Sequence, residues 1–201
     1  VLPKLLAFAL PMMATNVLQL LFSAADSIVV GRFAGEAQLA AVGAVGPLIS
    51  LLTNLFLGLS VGVNVAAARA FGSGDEDGLS KTLHTALSLS LVIGVFMTCF
   101  ALSLTRQLLI MMHTPDDVLP HALLYLRIYF LGMTPMTVYN FMSAVLRAVG
   151  DTKRPLIFLV ISGGLNVVLN IIFVALFHWG VAGVAIATVL TQALSAVLVL
   201  L

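Results

Sequence analysis

From Pro155 to Leu201 the chain carries no Asp, Glu, Lys or Arg. A helix or sheet in a soluble fold keeps a polar face toward water, so an uncharged run of this length has no place on such a surface. Hydrocarbon accepts it, provided the backbone satisfies its own hydrogen bonds. The run is long enough for two membrane helices of about 20 residues each. The break between them rests on His178, Trp179 and Gly180 alone. Tryptophan at that point suits the headgroup level of a bilayer.

The remainder of the chain follows the same pattern. Hydrophobic residues make up 61% of the 201 positions and charged residues 8%, where soluble domains carry about 25% charge. Apolar segments long enough to span are predicted at 5–30, 39–68, 82–104, 119–146, 155–177 and 180–201. The fold class expected is therefore an all-α membrane protein, a bundle of six transmembrane helices with the lipid bilayer as its principal partner. A net charge of +1 gives no reason to expect nucleic acid binding. The single cysteine, Cys99, excludes an internal disulfide.

Basic residues set the expected orientation. Lys4, Arg69, Lys81, Arg147, Lys153 and Arg154 fall on one side of the predicted bundle, and Arg32, Arg106 and Arg127 on the other. The positive-inside rule puts the richer side, with the amino terminus, in the cytoplasm.

Asp26 is the acidic residue that lies well inside an apolar segment. A carboxylate in hydrocarbon costs about 2.5–3.5 kcal/mol or more, so such residues mark ion pathways and proton relays. At 1.5 Å per residue, Asp26 lies about 9 Å below Arg32, and Asn170 about 12 Å below His178. On the helices running inward, Thr188 lies about 12 Å below Gly180 and Tyr125 about 13 Å from Asp116. Four helices thus place a polar group at one depth. Asn166 and Asn170 are four apart and share a helix face. The set could coordinate Na⁺ through oxygen, or form a hydrogen-bond network around a protonatable carboxyl. Each Asn or Thr alone also serves as glue between helices. His84, His113, His121 and His178 have no metal-ligand spacing. The loop FGSGDEDG lacks the GK[ST] ending of a phosphate-binding loop. No Ser–His or Cys–His pairing is visible, so neither an enzyme nor a cofactor is expected.

Pro11, Pro47 and Pro135 interrupt predicted helices, as hinges of a moving carrier or as packing kinks.

The stretch LPMMATNVLQLLFSAADSIVVGRFAGEAQLAAVGAVGP resembles the first two helices of the multidrug and toxic compound extrusion transporters. AAARAFGSGDEDG resembles their cytoplasmic loop, and SAVLRAVGDTKRP the exit of their fourth helix. SGGLNVVLNIIF and GVAGVAIATVLTQ resemble helices five and six, with the DinF-like prokaryotic branch the best match. The resemblance implies one six-helix lobe, the amino-terminal one, of a two-lobe, twelve-helix alternating-access transporter. Residues 1–201 would be that lobe, and the carboxy-terminal lobe a missing partner. It further implies a secondary antiporter of the prokaryotic inner membrane that exports small organic, cationic drugs or toxic metabolites against H⁺ or Na⁺. The alternative within the same superfamily is a flippase for lipid-linked oligosaccharides.

By the same resemblance Asp26 matches the cation-coupling aspartate of helix one, and Pro11 the proline where that helix bends. Asn166 and Thr188 match further cation-site positions, and Tyr125 a nearby tyrosine. Na⁺ would then sit at Asp26, Asn166, Asn170 and Thr188. Asn170 stands where some members carry a second aspartate, which halves the formal charge and favours H⁺ over Na⁺.

Overall fold

A computed structural model of the chain describes the backbone of residues 2–201 and the side chains of residues 10, 11 and 13–201. The side chain of Lys4, counted above on the basic side, lies outside the described residues. The described residues form seven α-helices: α1 (Leu2–Phe33), α2 (Glu36–Gly72), α3 (Glu76–Met111), α4 (Leu119–Leu131), α5 (Met133–Ala148), α6 (Lys153–Asn170) and α7 (Gly180–Leu200). A π-helical turn, Ile171–Leu176, continues α6. No strand occurs among the described residues.

Among the described residues five helical stretches are long and apolar enough to cross a membrane: Met13–Phe33, Glu36–Gly72, Glu76–Met111, Lys153–Leu176 and Gly180–Leu200. The outward faces are apolar. Phe96 is 64% exposed and Val92 67%, as fits side chains whose solvent is lipid. α2 and α3 run to 37 and 36 residues, beyond the predicted limits 39–68 and 82–104. Their facing added turns, 69–72 and 76–81, carry charged residues and meet at the short loop 73–75. Asp75 accepts from the Gly78 N–H at 2.9 Å to cap α3.

The segment expected as one helix, 119–146, is two. Gly132 separates α4 from α5. Pro135 has no N–H to offer the Leu131 carbonyl, so the ladder fails one turn before it. Gly132 N–H instead bonds the Tyr129 carbonyl at 2.9 Å. The Thr98 hydroxyl from α3 donates to the Phe130 carbonyl at 3.1 Å, serving a group at the break. The expected helix 155–177 is likewise irregular at its far end, where the α ladder gives way to the π turn at Ile171. Phe173, Phe177 and Trp179 stack there, with Phe173–Trp179 centroids 5.2 Å apart. Gln38, at the start of α2, accepts from the Val181 N–H at 2.8 Å and so caps α7.

α5 packs on both α2 and α3, α7 on both α4 and α6, and α1 leans on α6. Val30, Val45, Phe56, Leu126, Phe130 and Val184 fill one core, and Phe141, Met142, Ala67 and Ala86 a second. The α3–α5 crossing depends on Gly94, where a Cβ would meet the Thr134 Cα at 2.7 Å. Backbone has no room to yield there. At Gly43 a Cβ would meet nothing within 4 Å. Gly94→Val should therefore destabilise the protein by about 1–3 kcal/mol, while Gly43→Ala stays near wild type. Thermal unfolding of the purified full-length protein in detergent checks both.

Candidate cation and substrate site

α1 presents Asn16, Gln19, Ser23 and Asp26 to one side, a spacing that keeps them on one helical stripe. That stripe forms part of the wall of a cavity of about 600 Å³. α2 adds Ser50, Thr53 and Asn54, α4 adds Tyr129, and α6 adds Ser162 and Asn166. α7 contributes Thr188, Thr191, Gln192 and Ser195. Phe22, Ile49, Leu57, Met136 and Leu159 supply apolar wall. A volume of this order suits a drug-sized molecule. Asp26 is the one charged side chain lining it among the described residues.

Two helices meet at the carboxylate. Asn170 on α6 donates from Nδ2 to Asp26 Oδ1 at 2.5 Å and to Asn166 Oδ1 at 3.1 Å. Asn166 donates in turn to the Thr191 hydroxyl of α7 at 3.4 Å. One turn further along α6, Ser162 accepts from Ser195 of α7 at 2.7 Å. These buried groups form a polar seam between α6 and α7. The Asn170 side chain is fully buried, and its Oδ1 has no hydrogen-bond partner among the described residues. An unpaired buried acceptor costs about 1–3 kcal/mol, so it is notable beside a carboxylate.

The structure thus brings Asp26, Asn166 and Asn170 into direct contact. Thr188 lines the same cavity, but its hydroxyl donates to its own helix at the Val184 carbonyl, 2.9 Å away. Tyr125 is buried against Tyr129, ring centroids 6.0 Å apart. Tyr129, one turn later, is the α4 tyrosine on the cavity wall. Pro11 lies on α1 about 22 Å along the axis from Asp26, outside this cluster. α1 continues as helix through it, and the Thr15 hydroxyl bonds its carbonyl at 2.8 Å.

Among the described residues no three His, Cys, Asp or Glu side chains are placed to hold a metal ion. Na⁺ would need oxygen donors, and Asp26, Thr188 and Asn170 Oδ1 could supply them. As arranged, however, Asn170 turns N–H toward the carboxylate. Coordination of Na⁺ by the amide oxygen would require Asn170 to turn over.

Sequence reasoning missed Thr191 and Tyr129. Both were within reach, since Thr191 follows Thr188 by three and Tyr129 follows Tyr125 by four, each pair on one helix face. The polar stripe on α1 was equally visible as a period.

The family model MatE matches residues 11–172. The probable multidrug resistance protein YpnP of Bacillus subtilis (strain 168) is 32% identical over 195 residues, which is 97% of this chain and 44% of that protein. The DNA damage-inducible protein F of Escherichia coli (strain K12) is 28% identical across 92% of this chain and 40% of its own length. Among solved structures, a MATE transporter in the bent conformation superposes with a TM-score of 0.92 at 32% identity, covering 98% of this chain and 44% of that one. The outward-facing conformation of a multidrug resistance MATE family transporter gives 0.91, with 43% of its chain covered. The chain therefore spans less than half the length of these relatives.

Asn166 bridges α6 to α7 and occupies one Asn170 N–H. Asn166→Leu should strand that donor in the interior and lower stability by about 1–3 kcal/mol. A drop in the melting midpoint of the full-length protein is the expected reading, and an unchanged midpoint would show that the bridge contributes nothing.

Proposed function

Because the chain belongs to the MatE family and forms one lobe of such a transporter, we propose that it is the amino-terminal half of a secondary antiporter exporting organic cations in exchange for H⁺. The family's members are transporters rather than enzymes. The observation that carries this reading is the lone carboxylate in a cavity otherwise walled by amides, hydroxyls and apolar groups. Ionised, Asp26 attracts a cationic, amphipathic substrate whose apolar part rests on Phe22, Leu57 and Met136. Protonated, it loses that attraction and weakens its hold on Asn170. Charge on Asp26 is then what substrate and proton compete for.

The α1 contact with α6 through Asp26 and Asn170 supplies the link from charge to motion. α1 packs on α6 and only weakly on α7. Weakening one buried charge-assisted bond frees the outer half of α1 to shift. Pro11, with no N–H to complete the helical ladder, is the proposed hinge at the other half. Na⁺ is the second candidate ion, favoured only if Asn170 presents its oxygen. A lipid-linked sugar phosphate fits poorly, because the cavity's one formal charge is negative. The chain is an integral membrane protein. The inner membrane of a prokaryote, with the amino terminus in the cytoplasm, is the proposed setting, supported by the six-to-three division of basic residues.

Asp26→Asn keeps the shape and removes the charge. In full-length protein reconstituted in vesicles, its gradient-driven efflux of an organic cation should fall to the protein-free level, with insertion and melting intact. Efflux equal to wild type would falsify the assignment. Imposing pH and Na⁺ gradients separately identifies the ion: the pH gradient alone should drive wild-type export.

A further inference from the structure

The corner where α5 ends and α6 begins holds a cation without a counter-ion. Arg147 sits in the last turn of α5, half-buried. Asp151 follows it by four residues, but Gly150 intervenes at φ 90° and turns the chain out of the helix. Asp151 is spent on the start of α6. Its Oδ1 accepts the N–H groups of Lys153 and Arg154 at 3.2 and 3.1 Å, and its Oδ2 pairs with the Arg154 side chain at 3.1 Å. That is the one ion pair among the described residues, so Arg147 has no carboxylate partner there.

Tyr139, Ser143 and Arg147 stand four apart on one stripe of α5. The Tyr139 hydroxyl donates to the Pro155 carbonyl at 2.9 Å, which ties this stripe to the entry of α6. Arg147 lies within electrostatic reach of that hydroxyl. Ser143 is 1% exposed, and its Oγ approaches the same hydroxyl without a well-formed hydrogen bond. The corner therefore offers a guanidinium and a spare hydroxyl donor, and it lacks the anion that would engage them.

We propose that this corner binds the phosphate of an anionic phospholipid. The planar fork of Arg147 takes two phosphate oxygens, and exposed Lys153 adds a second cation. The surface beyond selects a lipid over a free anion. Lys153 heads a stripe of α6 in which Ile157, Ile161, Leu165 and Val168 follow, all exposed. A cation above an apolar track matches a headgroup above its acyl chain. An arginine in a last helical turn also favours the helix dipole, but that role calls for no lipid. The site depends on the chain lying in a membrane and not on the coupling role of Asp26.

The test is thermal unfolding of the purified full-length protein in detergent with added phosphatidylglycerol or phosphatidylcholine. Phosphatidylglycerol should raise the midpoint saturably, and phosphatidylcholine should not. Arg147→Gln should weaken the apparent affinity for phosphatidylglycerol about tenfold. The reading is the lipid-dependent shift, so any loss of basal stability cancels. Arg106→Gln, on the opposite side of the bundle by sequence, should respond to lipid as wild type does. If Arg147→Gln fails to fold, Lys153→Gln at the exposed position should show a smaller loss of the same kind, and an unchanged response in it overturns the proposal. Equal shifts with both lipids also overturn it, as does a phosphatidylglycerol shift that survives Arg147→Gln. Inorganic phosphate that reproduces the shift without added lipid would reassign the corner to a free anion and so overturn the lipid site.

Discussion

A backbone surrounded by hydrocarbon has no water to bond, so every N–H and C=O must find its partner inside the protein. This single constraint forces the all-helical architecture. It also decides where the helices are allowed to fail. The ladder is interrupted at Gly132 and again at Ile171, and in each case protein rather than lipid services the region. Thr98 reaches the Phe130 carbonyl at the first break. At the second, Trp179 stacks on Phe173 of the turn, and Gln38 caps Val181 at the start of α7 just beyond it. Both irregularities adjoin the cavity helices, one beside Tyr129 and the other beside Asn170. Irregular backbone at membrane depth is tolerated where protein or a cavity borders it, and Tyr129 beside the first break lines the cavity.

The same constraint sorts the polar side chains into two groups. Most hydroxyls bond carbonyls of their own helix, as Thr15, Thr105, Thr137, Thr188 and Thr191 do. Such residues satisfy themselves without a neighbour and cost the bundle little. Several amides work differently. Asn64 of α2 bonds the Ala144 carbonyl of α5, Asn166 bonds Thr191, and Asn170 bonds Asp26. These amides specify which helix lies beside which. The cluster at Asp26 is consequently also a structural joint between α1, α6 and α7.

This division explains how much could be read from the residues alone. The apolar segments followed from hydropathy, because lipid imposes a length and a composition, but the helix count did not, since 119–146 holds two helices. Asp26, Asn166 and Asn170 were legible because a charge or an amide in an apolar run is conspicuous and depth is simple arithmetic. Rotation about each helix axis was not. Depth placed Tyr125 at the right level but could not show that it turns toward Tyr129 while Tyr129 faces the cavity. Thr188 shows the same limit: it stands at the cavity wall with its hydroxyl spent on Val184. The split of 119–146 was signalled by Gly132 and Pro135 together, yet proline within membrane helices is common enough that continuity was the natural expectation.

That the partner of Asp26 is the amide of Asn170 and not a second carboxylate limits the charge this cluster can carry. Two carboxylates at hydrogen-bond distance would repel, and one would hold a proton through most conditions. With an amide there, the pair consists of one acid and one donor. The donor adds no charge of its own, so the pair carries at most one unit. A cavity with one switchable charge and no fixed one can be either attractive or indifferent to a cation. On the proposed coupling role, that binary character would suffice for exchange, because the two occupants need never be bound together. It also places the burden of selectivity on the apolar wall, since a single carboxylate offers no spacing by which to tell one cation from another. Phe22, Leu57 and Met136, rather than further polar groups, are then the residues through which different members of a substrate class would be distinguished.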